Sequence, residues 1–161
     1  MIEVVGNLWE YPADVRVITT NGTVKKNGEC VMGRGCALEA KQRFPTISGV
    51  LGDALRRGGN HVYWLYGGEH GAIIFSFPVK HEWHQKADID LIRQSAEEIS
   101  GLIPKWIKVV VMPRPGCGNG GLTWCACQYP DDAHADGCGG VRHVLEPILD
   151  DRFHVITFAR S

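Results

Sequence analysis

Along the chain, apolar and β-branched residues gather in short runs: "IEVV" at 2–5, "VRVITT" at 15–20, "HVYWLY" at 61–66, "AIIFSF" at 72–77, "IKVVVM" at 107–112 and "FHVITF" at 153–158. Runs of this length predict strands, and several are too uniformly apolar to have a wet face. Between them apolar positions recur at helical spacing in "GCALEAKQRF", "TISGVLGDALRR", "DIDLIRQSAEEISGLI" and "VRHVLEPILDD", with Asp88 a candidate N-cap for the third. Strand and helix alternate, which predicts an α/β protein: a central sheet with helices on both faces. No repeat or linker divides the sequence, so residues 1–161 are read as one domain. One stretch, "CACQYPDDAHADGCGG" at 125–140, is too polar and too rich in Cys, Asp and Gly for either kind of element.

Charge narrows the classes of function. Seventeen basic against 18 acidic residues leave a formal net charge of -1, which argues against coating nucleic acid by bulk attraction but leaves room for a local basic groove. The opening "MIEVVGNLWEYPADV" has acidic residues and a proline where a secretory signal would be basic and then apolar, and no run approaches transmembrane length. The expectation is a cytoplasmic, monomeric protein without a membrane partner. In that setting six cysteines read as reduced thiols or metal ligands before disulfides.

Two glycine-bearing loops carry the candidate chemistry. In "GECVMGRGCALEAKQRF", Gly33 and Gly35 stand just ahead of a helix beginning near Cys36, where free N–H groups and the helix dipole suit a phosphate. In "MPRPGCGNGGLTW", a strand runs into Gly116, Gly118, Gly120 and Gly121, and such a loop can wrap an anion with successive N–H groups. Tight turns alone would also explain either set of glycines. Together, behind strands of an α/β sheet, they suggest a diphosphate site. Neither matches the dinucleotide fingerprint or a P-loop, so a Rossmann dehydrogenase or NTPase is not expected.

Four segments in order, "GNLWEYPADVRVITTNGTV", "VMGRGCALEAKQRFP", "FPVKHEW" and "PRPGCGNGGLTW", resemble the macrodomain family of ADP-ribose-binding proteins and hydrolases. The branch is the one that contains terminal ADP-ribose protein glycohydrolase and the DarG-type DNA ADP-ribosyl glycohydrolases. The resemblance implies a three-layer fold with a mixed sheet, and a bound ADP-ribose. Asn7 replaces the family's adenine-holding acid, and Leu8 follows it. Thr20 and Asn21, at the end of the second strand, would face the distal ribose, although Asn21 before Gly22 also reads as a turn residue. Met32, Gly33, Arg34, Gly35 and Cys36 would lie against the diphosphate and that ribose. Pro115, Gly116, Cys117, Gly118, Asn119 and Gly120 would close over the phosphates. Arg34 and Arg114 are candidate phosphate contacts, and Cys117 is read as a small loop residue rather than a nucleophile.

The same resemblance makes Lys80 the catalytic residue. A nearby diphosphate favours its ammonium form and burial near Trp83 the free amine, leaving two roles: a group that assists departure at the anomeric carbon, or a nucleophile that attacks it. His81 and Trp83 are candidate substrate contacts, with solvent exposure of the imidazole and packing of Trp83 under the loop as the plainer readings. Protein-directed members carry an aspartate where this chain has Gly120, whereas "GNGGL-x-W" and "KHEW" are closer to the DNA-directed members. The expected reaction is therefore removal of ADP-ribose from modified thymine in single-stranded DNA. The alternatives are a non-catalytic ADP-ribose reader, release from acidic protein side chains, and hydrolysis of ADP-ribose-1''-phosphate. The partner is ADP-ribose or an ADP-ribosylated macromolecule, single-stranded DNA among them. No cofactor is expected for catalysis. Cys125, Cys127, His134 and Cys138 have the spacing C-x-C-x6-H-x3-C, which could hold a structural zinc, against a loop that merely carries thiols.

Overall fold

The computed structural model describes residues 1–68, 71–125 and 139–158. In chain order the elements are β1 (Ile2–Val5), β2 (Val15–Asn21), α1 (Gly35–Arg43), α2 (Ile47–Gly58), β3 (Trp64–Tyr66), β4 (Ile73–Lys80), α3 (Ile89–Leu102), β5 (Val110–Pro113), α4 (Val141–Leu145) and β6 (Phe153–Thr157). The strands form one sheet in the order β1-β6-β5-β2-β4-β3. Among the described strands only β3 runs antiparallel to its neighbour; the other four pairings are parallel. The mixed, helix-flanked sheet is the expected three-layer architecture.

Period-two alternation along β4 shows how the sequence builds the layers. Ile73, Phe75, Phe77 and Val79 join one core, which α3 helps to close, while Ile74 joins a second core with Leu51 and Leu55 of α2. Phe75 and Phe77 are almost fully buried, each worth about 2–3 kcal/mol by area. The continuous apolar run is thus explained by cover on both faces. That cover does not reach the sheet's edges: Ile2 and Val5 of β1 and Trp64 and Tyr66 of β3 remain exposed.

Element boundaries differ from the sequence pattern where local chemistry intervenes. Strand β3 takes only the last half of "HVYWLY". Helix α4 stops at Leu145 because Pro147 cannot continue it. Strand β4 instead runs past Phe77 through Pro78 to Lys80, with the Pro78 carbonyl accepting from the buried Ser95 hydroxyl at 2.7 Å. Asp88 caps α3 as expected, its carboxylate accepting from the Asp90 N–H at 2.9 Å. Among the described residues no helix is long and apolar enough to cross a membrane.

Candidate functional site

Because β6, β5, β2 and β4 are parallel, their carboxyl ends share one edge of the sheet, where ligands of open α/β sheets sit. A cleft of ≈ 1220 Å³ lies there, walled by both glycine loops, Lys80 and the end of β6.

The first wall is the start of α1. Arg34 stands at the N-cap in extended conformation without a side-chain cap bond, and the first turn contains no acid. Among the described residues, no acceptor takes the N–H groups of Gly35 or Ala37. They form a cradle for an anion. Gly35 has φ +59, and a Cβ there would lie 3.4 Å from the Asn119 side-chain nitrogen, which measures how closely the two loops approach. In the second loop Gly116 has φ +77, and a Cβ on it would strike Ile92 at 2.8 Å. The N–H groups of Gly118, Asn119 and Gly120 likewise have no acceptor among the described residues. Met32 is buried beneath the first loop and Pro115 behind the second; Pro115, unlike the other residues assigned to that loop, does not line the cleft.

Lys80 closes the gap between these walls. A register shift between Thr20 and Asn21 sets Asn21 opposite Lys80 on the adjoining strands. The Lys80 carbonyl accepts from the Asn60 side-chain amide at 3.0 Å, and its Nζ, at the cleft, donates to the Trp83 carbonyl at 3.3 Å. Trp83 lines the cleft with more than half of its surface open, its ring edge-on to His84. Packing under the loop therefore does not account for it. His81 points elsewhere: its Nε2 lies 2.7 Å from an Asp88 carboxylate oxygen, and His84 takes the place in the cleft wall. That hydrogen bond holds the Asp88 carboxyl below its ordinary range.

The asparagines are tied into their own loops. The Asn7 carboxamide oxygen accepts from the Trp9 N–H at 2.8 Å and Asn7 does not line the cleft, whereas buried Leu8 does. Asn21 donates to the Val31 carbonyl at 2.9 Å and accepts from the Thr23 N–H at 3.0 Å, so it shapes the turn while facing the cleft. Thr20 brings a buried hydroxyl to the wall, and that oxygen has no protein partner among the described residues. Arg34 is exposed at the rim. Arg114 is drawn towards Glu3, at 3.5 Å, and lies over the Trp124 ring.

Burial pushes the Cys117 thiol up to about 11 and the Cys36 thiol upward as well, which leaves both protonated at neutral pH and unsuited to nucleophilic attack. Cys127, His134 and Cys138 lie outside the described residues, and among the described residues no His, Cys, Asp and Glu group could hold a metal. The pattern reading missed Phe158, which follows β6 at the cleft and is 65% exposed. Its only signal was an aromatic residue ending "FHVITF", which looked like one more strand position.

Sheet order, flanking helices and a cleft walled by two glycine loops are those of the macrodomain fold. Solved macrodomain structures agree: that of Thermus aquaticus DarG superposes with TM-score 0.69 at 24% identity, covering 99% of this chain and 97% of that one. The macrodomain of Mycobacterium tuberculosis DarG gives 0.67 at 24% identity, covering 98% and 99%. Thermosipho africanus DarTG in complex with ADP-ribose gives 0.70 at 21% identity, covering 98% of this chain and 42% of that one. In sequence the chain is 29% identical to the DNA ADP-ribosyl glycohydrolase of Thermus aquaticus over 158 residues, 94% of this chain and 42% of the relative. The Mycobacterium tuberculosis enzyme of the same name is 30% identical over 100 residues, 58% of this chain and 28% of the relative. The chain thus spans less than half the length of these curated relatives. No family model matches it. The resemblance read from the four motifs is borne out across nearly the whole chain.

Proposed function

We propose that this macrodomain binds ADP-ribose and hydrolyses its bond to a modified thymine in single-stranded DNA, with Lys80 as the catalytic residue. The observation that carries the reading is the placement of the Lys80 Nζ at a cleft lined by two loops with N–H groups that have no acceptor among the described residues. Those N–H groups hold the diphosphate and so fix the distal ribose, which places its anomeric carbon within the lysine's range. The exposed Phe158 ring offers a face for the adenine at the other end of the cleft.

In the reaction the bond between the anomeric carbon and the thymine ring nitrogen breaks, the electron pair and a proton pass to the nitrogen, and water supplies the hydroxyl. Thymine is a competent leaving group because its ring anion is delocalised over two carbonyls, so it needs little acid assistance. Lys80 serves either by stabilising the departing charge as an ammonium or by attacking the anomeric carbon as an amine. The relatives' printed names favour DNA over protein as the carrier of ADP-ribose. The missing carboxylate in the second loop agrees with that preference.

The test is release of ADP-ribose from modified single-stranded DNA and, in parallel, from a glutamate-modified protein, by wild type and Lys80→Ala. Release from DNA alone, lost in Lys80→Ala while ADP-ribose still binds, is expected. Binding without release from either substrate would leave a reader module in place of an enzyme.

A further inference from the structure

A chain of hydrogen bonds connects the first glycine loop to Lys80 through a residue that does not touch the cleft. The Asn21 amide donates to the Val31 carbonyl, two residues before Gly33, at 2.9 Å, and its oxygen accepts from the Thr23 N–H at 3.0 Å. The Val31 N–H returns to the Thr23 carbonyl at 3.0 Å, so Asn21, Thr23 and Val31 brace one another. From this brace the Thr23 hydroxyl reaches across 60 positions of sequence and accepts from the Trp83 N–H at 3.0 Å. The Trp83 carbonyl, in turn, is the group to which the Lys80 Nζ donates.

We infer that Thr23 is a positioning residue for Lys80, acting through the backbone of Trp83; the inference rests on the catalytic reading of Lys80 above. The N–H and C=O of Trp83 flank a single Cα, so anchoring the first restricts the second. Other ties secure the segment at different points: the Gly22 N–H bonds the His81 carbonyl at 3.2 Å, and Glu82 and Gln85 bond each other. None of these holds Trp83 itself. Packing at Gly22 shows how tightly the two loops are apposed, since a Cβ there would lie 2.6 Å from the His81 carbonyl oxygen. Without the Thr23 hydroxyl the Trp83 backbone loses its anchor, and the lysine's acceptor moves. Because the brace includes the stem of the diphosphate loop, the lysine and the phosphate cradle are held in one frame.

The experiment compares wild type, Thr23→Val, Thr23→Ser and Lys80→Ala for kcat on modified DNA, for the Kd of free ADP-ribose, and for amide exchange of the Trp83 N–H. Thr23→Val keeps the shape and removes the hydroxyl. It is expected to lower kcat about tenfold, the scale of a partly misplaced reacting group. Its ADP-ribose Kd is expected to stay at the wild-type value and its Trp83 exchange to accelerate; Thr23→Ser restores both kcat and exchange. Wild-type kcat in Thr23→Val, or a Thr23→Ser as slow as Thr23→Val, overturns the inference. If wild type and Lys80→Ala both release nothing, the catalytic reading fails on its own, and the exchange measurement then separately reports whether Thr23 holds Trp83.

Discussion

An ideal Cβ on Gly120 would lie 2.5 Å from the carbonyl oxygen of Gly116 and 2.7 Å from the Ala87 Cβ. The first of these neighbours is backbone, inside a turn that the Leu122 N–H closes onto the same Gly116 oxygen at 2.9 Å, and cannot withdraw cheaply. The sequence resemblance implies an aspartate at this place in protein-directed macrodomains, whereas here the loop is folded so that a Cβ would collide with backbone. Gly120→Asp should therefore give no release from glutamate-modified protein. If the loop holds the diphosphate as proposed, the variant should also weaken ADP-ribose binding by about tenfold, because relieving the clash displaces the N–H groups of Gly118 and Asn119. Calorimetric titration with ADP-ribose and a protein-release assay on the variant check both outcomes.

The two roles open to Lys80 differ in what can be trapped. If the amine attacks the anomeric carbon, the thymine leaves and the ribose ring opens to an imine, which borohydride reduces to a stable secondary amine. A mass increase on the Lys80 peptide after reduction during turnover, absent in Lys80→Arg, would establish the nucleophilic route. With no adduct under conditions of full turnover, Lys80 acts by charge, and Lys80→Arg should then retain measurable activity. Lys80→Ala should lose at least about a hundredfold in kcat on either route.

Much of this arrangement was legible in the residue pattern because each level obeyed its local rule. A continuous apolar run produced β4, Asp88 produced the start of α3, and glycines ahead of α1 and after β5 produced the two cradles. The misses share a cause: they depend on partners distant in sequence. Nothing near Asn7 says that its carboxamide closes its own turn while Leu8 meets the cleft. Similarly, His81 and His84 look equivalent in "KHEWH", and only the position of Asp88 turns His81 aside. Phe158 was hidden because a strand pattern cannot show which residue passes beyond the sheet's edge.

Trp83, in the wall of the cleft, offers a test that separates contact with DNA from binding of free ADP-ribose. It is 53% exposed, at the cleft and next to His84, with a face open for a base flanking the modified one. Stacking of a base on an aromatic ring contributes about 1–3 kcal/mol. Trp83→Ala should raise KM for modified DNA about tenfold and leave free ADP-ribose affinity unchanged, with Trp83→Phe in between. Equal losses for DNA and free ADP-ribose would mean instead that the ring supports the pocket.

The His81–Asp88 contact predicts a particular acid sensitivity. The hydrogen bond from His81 is the largest influence holding the Asp88 carboxyl below its ordinary value, and the bond from the Asp90 N–H at the start of α3 adds to it. A carboxyl depressed in the folded state favours folding fully above its unfolded value, and that contribution disappears as pH falls through the folded value. Stability from this site should therefore be constant near neutral pH and decline below about pH 4, as protonation competes with the cap. In Asp88→Asn the amide oxygen can still cap α3 but does not titrate. Urea unfolding from pH 7 to pH 3 should show a shallower acid loss for Asp88→Asn than for wild type. His81→Ala should fall between them, since it removes the imidazole and leaves the backbone bond. Parallel acid profiles for all three proteins would show that Asp88 is not coupled to folding in the way its contacts indicate.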